Sequence, residues 1–185
     1  DGDPVTTRIT STEVSLRLDE PNHLTDGVHA PEPVTVVALR EGVWDIGDGR
    51  RLEVATVAGL SAANGFVRVD FSSAFASAPV VVAQVQTANG SDWTIARLDE
   101  VTATGFELRL QNEEAVGRTD TEQVVGWLAL EAGAFDWGGL AAQAFTTPRS
   151  VDEERSADDE TGHVDERAAG LAFETEGLLT GDLFI

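Results

Sequence analysis

The chain has 185 residues, 42% of them hydrophobic, which is enough for one full core and a second, smaller unit. Its 33 acidic residues against 12 basic ones, none of them lysine, give a formal charge of −21, so nucleic acid and anionic lipid are repelled rather than bound. The absence of cysteine removes disulfides, thiolate nucleophiles and zinc–thiolate sites together. Two readings of the acid excess compete: a solvated surface whose self-repulsion is screened in salty water, and carboxylates gathered to hold divalent cations. Methionine is absent as well, so residue 1 is expected to follow a processing event or to lie inside a longer polypeptide. No apolar run approaches the length of about 20 residues that a membrane-spanning helix needs. A secreted protein, or one carried on the surface of a particle, fits these features.

The chain reads as β throughout, because apolar and polar positions alternate over short runs bounded by turn clusters. In chain order the expected strands are EVSLRL (13–18), VTVVALRE (34–41), RRLEVATV (50–57), GFVRVDF (65–71) and PVVVAQVQT (79–87). They continue with DWTIARLDEV (92–101), GFELRLQ (105–111) and VVGWLALE (124–131), and a last pair falls near 140–146 and 168–174. In the fourth of these, Val67, Val69 and Phe71 share one face and Phe66, Arg68 and Asp70 the other, so one side is the buried side. The turns AANG, TANGSD and TATG carry the Asn and Gly residues that tolerate positive φ. Short strands joined in this way predict an antiparallel β-sandwich rather than a parallel sheet.

An internal repeat organises the chain. VALREGVWDIG (37–47) aligns with LALEAGAFDWG (128–138), and Leu16, Arg17 and Leu18 align with Leu108, Arg109 and Leu110. A third, more divergent copy ends in GLAFETEG (170–177), with Ala38 matched to Ala172 and His29 to His163. The expected organisation is a partial repeat over 1–46, a complete sandwich over 47–134 and a divergent partial repeat with an acidic loop over 135–185. Partial hairpins at both ends are marginal alone and must pack on the full domain, on each other or on a neighbouring subunit.

The carboxylate pairs Asp19/Glu20, Glu113/Glu114 and Glu153/Glu154 recur with the repeat, each followed by a Glu at the start of an apolar strand. Glu113, Glu114 and Glu122 would supply three hard oxygens for Ca²⁺, which takes six to eight in all. His29 and His163 each precede a Glu by three, but the middle copy has Thr119 at that place, which speaks against zinc. Trp127 reads as core, Trp44 and Trp137 as packing at the repeat junctions, and Trp93 as either a packed sandwich end or an exposed platform. With no Cys, Lys or Tyr and no serine in a nucleophile elbow, the chain reads as non-catalytic.

The blocks VRVDFSSAFASAPVVVAQVQT, WTIARLDEVTATGFELRLQ and VVGWLALEAG, in that order and spacing, resemble the H-type lectin domain family, over about 70 residues in the middle of the chain. That resemblance implies an antiparallel sandwich of about six strands, assembly as a homo-oligomer, specifically a trimer, and recognition of galactose or N-acetylgalactosamine at subunit junctions. The family's sugar-contacting Arg falls at Trp93 and its Trp-His pair at Glu113 and Glu114. Trp93 would then stack on a sugar face while Asp92, Glu113 and Glu114 accept hydroxyl hydrogen bonds. The expected function is glycan binding or adhesion outside the cell. The alternative is a structural subunit of a filament, tail or surface layer, assembled by strand addition between subunits.

Overall fold

A computed structural model of the chain describes residues 5–9, 14–18, 36–90, 93–112, 119–137, 139–147 and 169–173. Among these residues the structure is all-β and every strand pairing is antiparallel. β1 (Val5–Ile9) and β2 (Val14–Leu18) form a hairpin whose strands, among the described residues, pair with each other alone.

The middle of the chain builds two facing sheets. One has the order β3 (Gly42–Asp45), β4 (Arg51–Leu60), β9 (Gln123–Leu130), β6 (Val80–Val85). The other has the order β5 (Val67–Asp70), β8 (Gly105–Asn112), β7 (Thr94–Thr102). Period-two alternation decides which side chains meet between them. On the four-stranded sheet, Ala55, Trp127 and Ala83 lie side by side, as do Val57, Val125 and Val85, and all six face the second sheet. Val69, Phe71, Phe106, Leu108 and Leu110 answer from the other side, so the burial expected for Val69 and Phe71 is observed. The centre is aromatic: Phe106 meets Trp127 edge-on at 5.3 Å between ring centroids, and Phe71 meets Phe75 at 4.9 Å. At the start of β8, opposite Asp70 of β5, Gly105 is required because a Cβ there would run into the Val69 carbonyl oxygen.

The opposite face of the four-stranded sheet is covered at one end by a third sheet. It is made of β10 (Gly133–Trp137), β11 (Leu140–Thr146) and β12 (Ala169–Phe173), in that order. Leu52, Leu130 and Val80, aligned across β4, β9 and β6, pack there against Phe135, Ala142, Ala144 and Leu171. At about 25 cal/mol per Å² of apolar surface, this second cluster is what ties the third sheet to the first two.

Nine of the elements, β2, β4 to β9, β11 and β12, fall on the stretches expected from the alternation; β1, β3 and β10 were not expected, and two of the differences are informative. Residues 36–40 form no strand, although VTVVALRE has strand composition, because no neighbouring backbone among the described residues offers its N–H and C=O groups a ladder. The strand instead begins at Gly42, in the GVWD stretch, and pairs with β4. The matching GAFDW stretch of the next repeat is likewise a strand, β10. Residue 46 therefore lies in the turn of the β3–β4 hairpin, and residue 135 lies inside β10.

Candidate functional site

Three connections meet at one end of the paired sheets, after β4, β6 and β8, and amide side chains hold them together. Gln123 is 5% exposed at the start of β9 and is bonded at both ends of its amide. Its Oε1 accepts from Thr87 Oγ1 at 2.7 Å and from the Asn89 backbone N–H at 3.2 Å, while its Nε2 donates to the Asn89 carbonyl at 2.6 Å. Asn89 Nδ2 in turn donates to the Glu122 carbonyl at 2.9 Å. Asn112 is 7% exposed at the end of β8; it donates to Thr94 Oγ1 at 3.2 Å and accepts from Thr119 Oγ1 at 3.4 Å. The 61–64 turn joins through Ala63 N–H, which donates to the Thr119 carbonyl at 3.2 Å. Satisfied networks of this kind fix loops firmly, because each buried amide would cost about 1–3 kcal/mol if left unpaired.

Trp93 sits on this end, immediately before β7, and its ring is half-buried. Its indole Nε1–H is enclosed and meets no acceptor among the described residues. Asp92, Glu113 and Glu114 lie outside the described residues. Glu122 has an exposed side chain, and its only role in the network is through its carbonyl. Among the described residues no group of three or more His, Cys, Asp or Glu side chains is placed to hold a metal ion. Asn89 was legible only as the turn residue of TANGSD, and Asn112 and Gln123, which organise this end with it, were not singled out by the sequence. Their signal is an amide at a core-facing strand end, in ELRLQN and TEQVV.

A second surface lies where the repeats adjoin. Asp45 Oδ1 accepts from the Gly47 N–H at 2.8 Å, and the matching Asp136 Oδ1 accepts from the Gly139 N–H at 2.9 Å. The recurring aspartates are thus turn formers, each closing the bend of a hairpin. Beside them Trp44 is 37% exposed, with its Nε1 donating to the Arg40 carbonyl at 3.1 Å and its ring 4.9 Å below the Arg40 guanidinium. Trp137 packs at a tilt against Phe135 and Phe173, with ring centroids 6.0 and 5.7 Å away. A shallow cavity of 390 Å³ opens between Trp44 and Trp137, with Leu39, Ile46 and Leu52 as its apolar floor. Val36, Val37, Val43 and Leu140 are also exposed. Most of the large exposed apolar side chains described therefore lie on 36–44 and on Leu140, while Phe66 is exposed elsewhere.

The repeat is visible in the backbone. Leu171-Ala172-Phe173 of the third copy matches Leu128-Ala129-Leu130 of the second and Val37-Ala38-Leu39 of the first. In the four-stranded sheet Trp44 is opposite Leu52, and Leu52 is opposite Leu130; in the third sheet Phe135 is opposite Ala142, and Ala142 is opposite Phe173. The units β3–β4–β9 and β10–β11–β12 are therefore built in one register.

No family model and no solved structure matches the chain. Over 128 residues, 68% of its length, it is 26% identical to Halomucin of Haloquadratum walsbyi. The chain spans about 1% of the length of that relative. Among the described residues no helix is long and apolar enough to cross a membrane.

Proposed function

We propose that the chain is a non-catalytic structural module of an extracellular assembly, a sandwich-like β unit whose incomplete repeats are completed by neighbours through strand addition. The observation that carries this reading is the shared register of β3–β4–β9 and β10–β11–β12, which makes the chain a series of like units rather than one closed domain. The similarity to a protein whose name is that of a mucin, from Haloquadratum walsbyi, supports a place outside the cell. The charge of −21 suits such a place when salt is abundant. At about 1 M salt the Debye length falls to about 3 Å, and copies can then approach despite their acidity. Sedimentation across a salt series tests this: assemblies are expected to grow as salt rises, and a chain that stays monomeric at every salt concentration rules the reading out.

A second reading is favoured by Trp93. An H-type-lectin-like sandwich would bind a glycan at the loop end, with the exposed part of the half-buried indole stacking on a sugar ring. Asp92, Glu113 and Glu114 would accept from other hydroxyls, and Ca²⁺ on Glu113, Glu114 and Glu122 would hold that loop. On a glycan array, Trp93→Ala is expected to abolish binding and a chelator to weaken it. Binding unaltered by Trp93→Ala removes the site, and binding unaltered by chelator removes the cation.

A further inference from the structure

We infer that Val36–Arg40 is a donor strand that pairs with β11 of a second copy of this chain, in the place β12 occupies. This rests on the strand-addition reading above and names its two partners. Three stretches of the chain share one pattern, and two of them have strand partners of one kind. Leu128-Ala129-Leu130 lies in β9 against β4, and Leu171-Ala172-Phe173 lies in β12 against β11. Val37-Ala38-Leu39 is the third, and it belongs to no sheet. No backbone hydrogen bond among the described residues involves Val36 to Leu39. Val36 is 48% and Val37 45% exposed and Ala38 is exposed as well, while Leu39 is half-buried against the cluster under the third sheet, so an apolar segment with one anchored side chain stands without ladder bonds among the described residues.

The acceptor follows from which closing strand can be displaced. β9 is held on both edges, by β4 over Leu52–Leu60 and by β6 over Val80–Val85. Among the described residues β12 is held on one edge, by β11 over Ala142–Thr146. Exchange at β9 would break two ladders, whereas exchange at β12 breaks one and rebuilds it. In the register of β12, Ala38 of the donor stands opposite Gln143, Val37 opposite Ala144 and Leu39 opposite Ala142. Leu39 then fills the place of Phe173 in the apolar cluster under the third sheet. One position resists: Val36 replaces Gly170, and a Cβ at Gly170 would come within 2.8 Å of Phe145 Cζ. The Phe145 ring must turn aside for the donor to seat, and this holds the exchange in check. Because the donor of one copy meets the acceptor of the next, the contact is head-to-tail and extends a chain of copies wherever the rotation between them does not close a ring.

The chain has no cysteine, so an engineered disulfide reports one contact unambiguously. Full-length A38C and full-length Q143C, mixed under mild oxidation in high salt, are expected to give a disulfide-linked heterodimer about tenfold above A38C mixed with S77C, since pairing rather than random collision brings the thiols together. Ser77, Ala38 and Gln143 are all exposed, so the control differs in position only. Adding F145A to the Q143C chain is expected to raise the yield further, because the obstructing ring is gone. A heterodimer yield no higher than the Ser77 control, in a chain that does assemble in high salt, overturns the pairing and leaves strand addition standing. If the unsubstituted chain does not assemble at all, the underlying reading falls with it. A yield that F145A lowers overturns the register.

Discussion

The units β3–β4–β9 and β10–β11–β12 have one register and two different surroundings. In the first, the closing strand β9 is covered on both faces: Trp127, Ala129 and Val125 face the β5–β8–β7 sheet, and Leu130, beside Leu52 of β4, faces the third sheet. In the second, the face carrying Ala142, Ala144 and Leu171 is buried, while Gln143 and Ala172 on the other face are exposed. Matched cross-strand pairs show how sequence adapts to that difference. Ala55 opposite Trp127 in the first unit becomes Phe145 opposite Gly170 in the second. One aromatic ring serves each pair, but it has moved from the closing strand to the strand before it. A ladder sets the register, and the covering layer sets which side chain can be large.

The largest way to break the comparison is at Trp127. Its side chain is 5% exposed and meets Phe71 and Phe106, so Trp127→Ala is expected to cost about 4 kcal/mol, the usual scale for a deleted core aromatic. Thermal unfolding should register this as a fall of roughly 10 °C in Tm for a chain of this size. The orphaned Nε1–H of Trp127 lowers the value of the native indole slightly, so Trp127→Phe should recover most of the loss. A Trp127→Ala fall no larger than about 1 kcal/mol would mean that the covered unit is no more tightly packed than the open one.

Much of this fold was legible because alternation reports one buried face wherever a strand has neighbours on both sides. β4, β8 and β9 are strands of that kind; β5 and β6 lie at sheet edges, yet one covered face was enough for the alternation to mark Val69 as inward. The stretch VTVVALRE has the same composition, yet 36–40 lies outside every sheet, since alternation records what a segment would bury and not whether a partner strand is at hand. GVWD and GAFDW were visible as a repeat but too short to show a period, and in β3 every residue is exposed. At the loop end, Trp93 stood out by its type. The buried amides of Asn112 and Gln123 did not, because their value depends on loops distant in sequence meeting at one place.

A smaller effect gives a sharper test of the difference between the two units, at Gly170. On β12 this residue is buried beneath the Phe145 ring, with a new Cβ only 2.8 Å from Phe145 Cζ. Gly170→Ala is therefore expected to cost about 1 kcal/mol, at the low end of overpacking, because the ring is half-buried and can give way. The same substitution in a Phe145→Ala background should cost close to nothing, since the obstruction has been removed, and the difference between the two costs measures the contact directly. If the cost of Gly170→Ala is unchanged by Phe145→Ala, the ring does not decide the size allowed on the closing strand. The exchange of large and small residues between the two units would then need another cause.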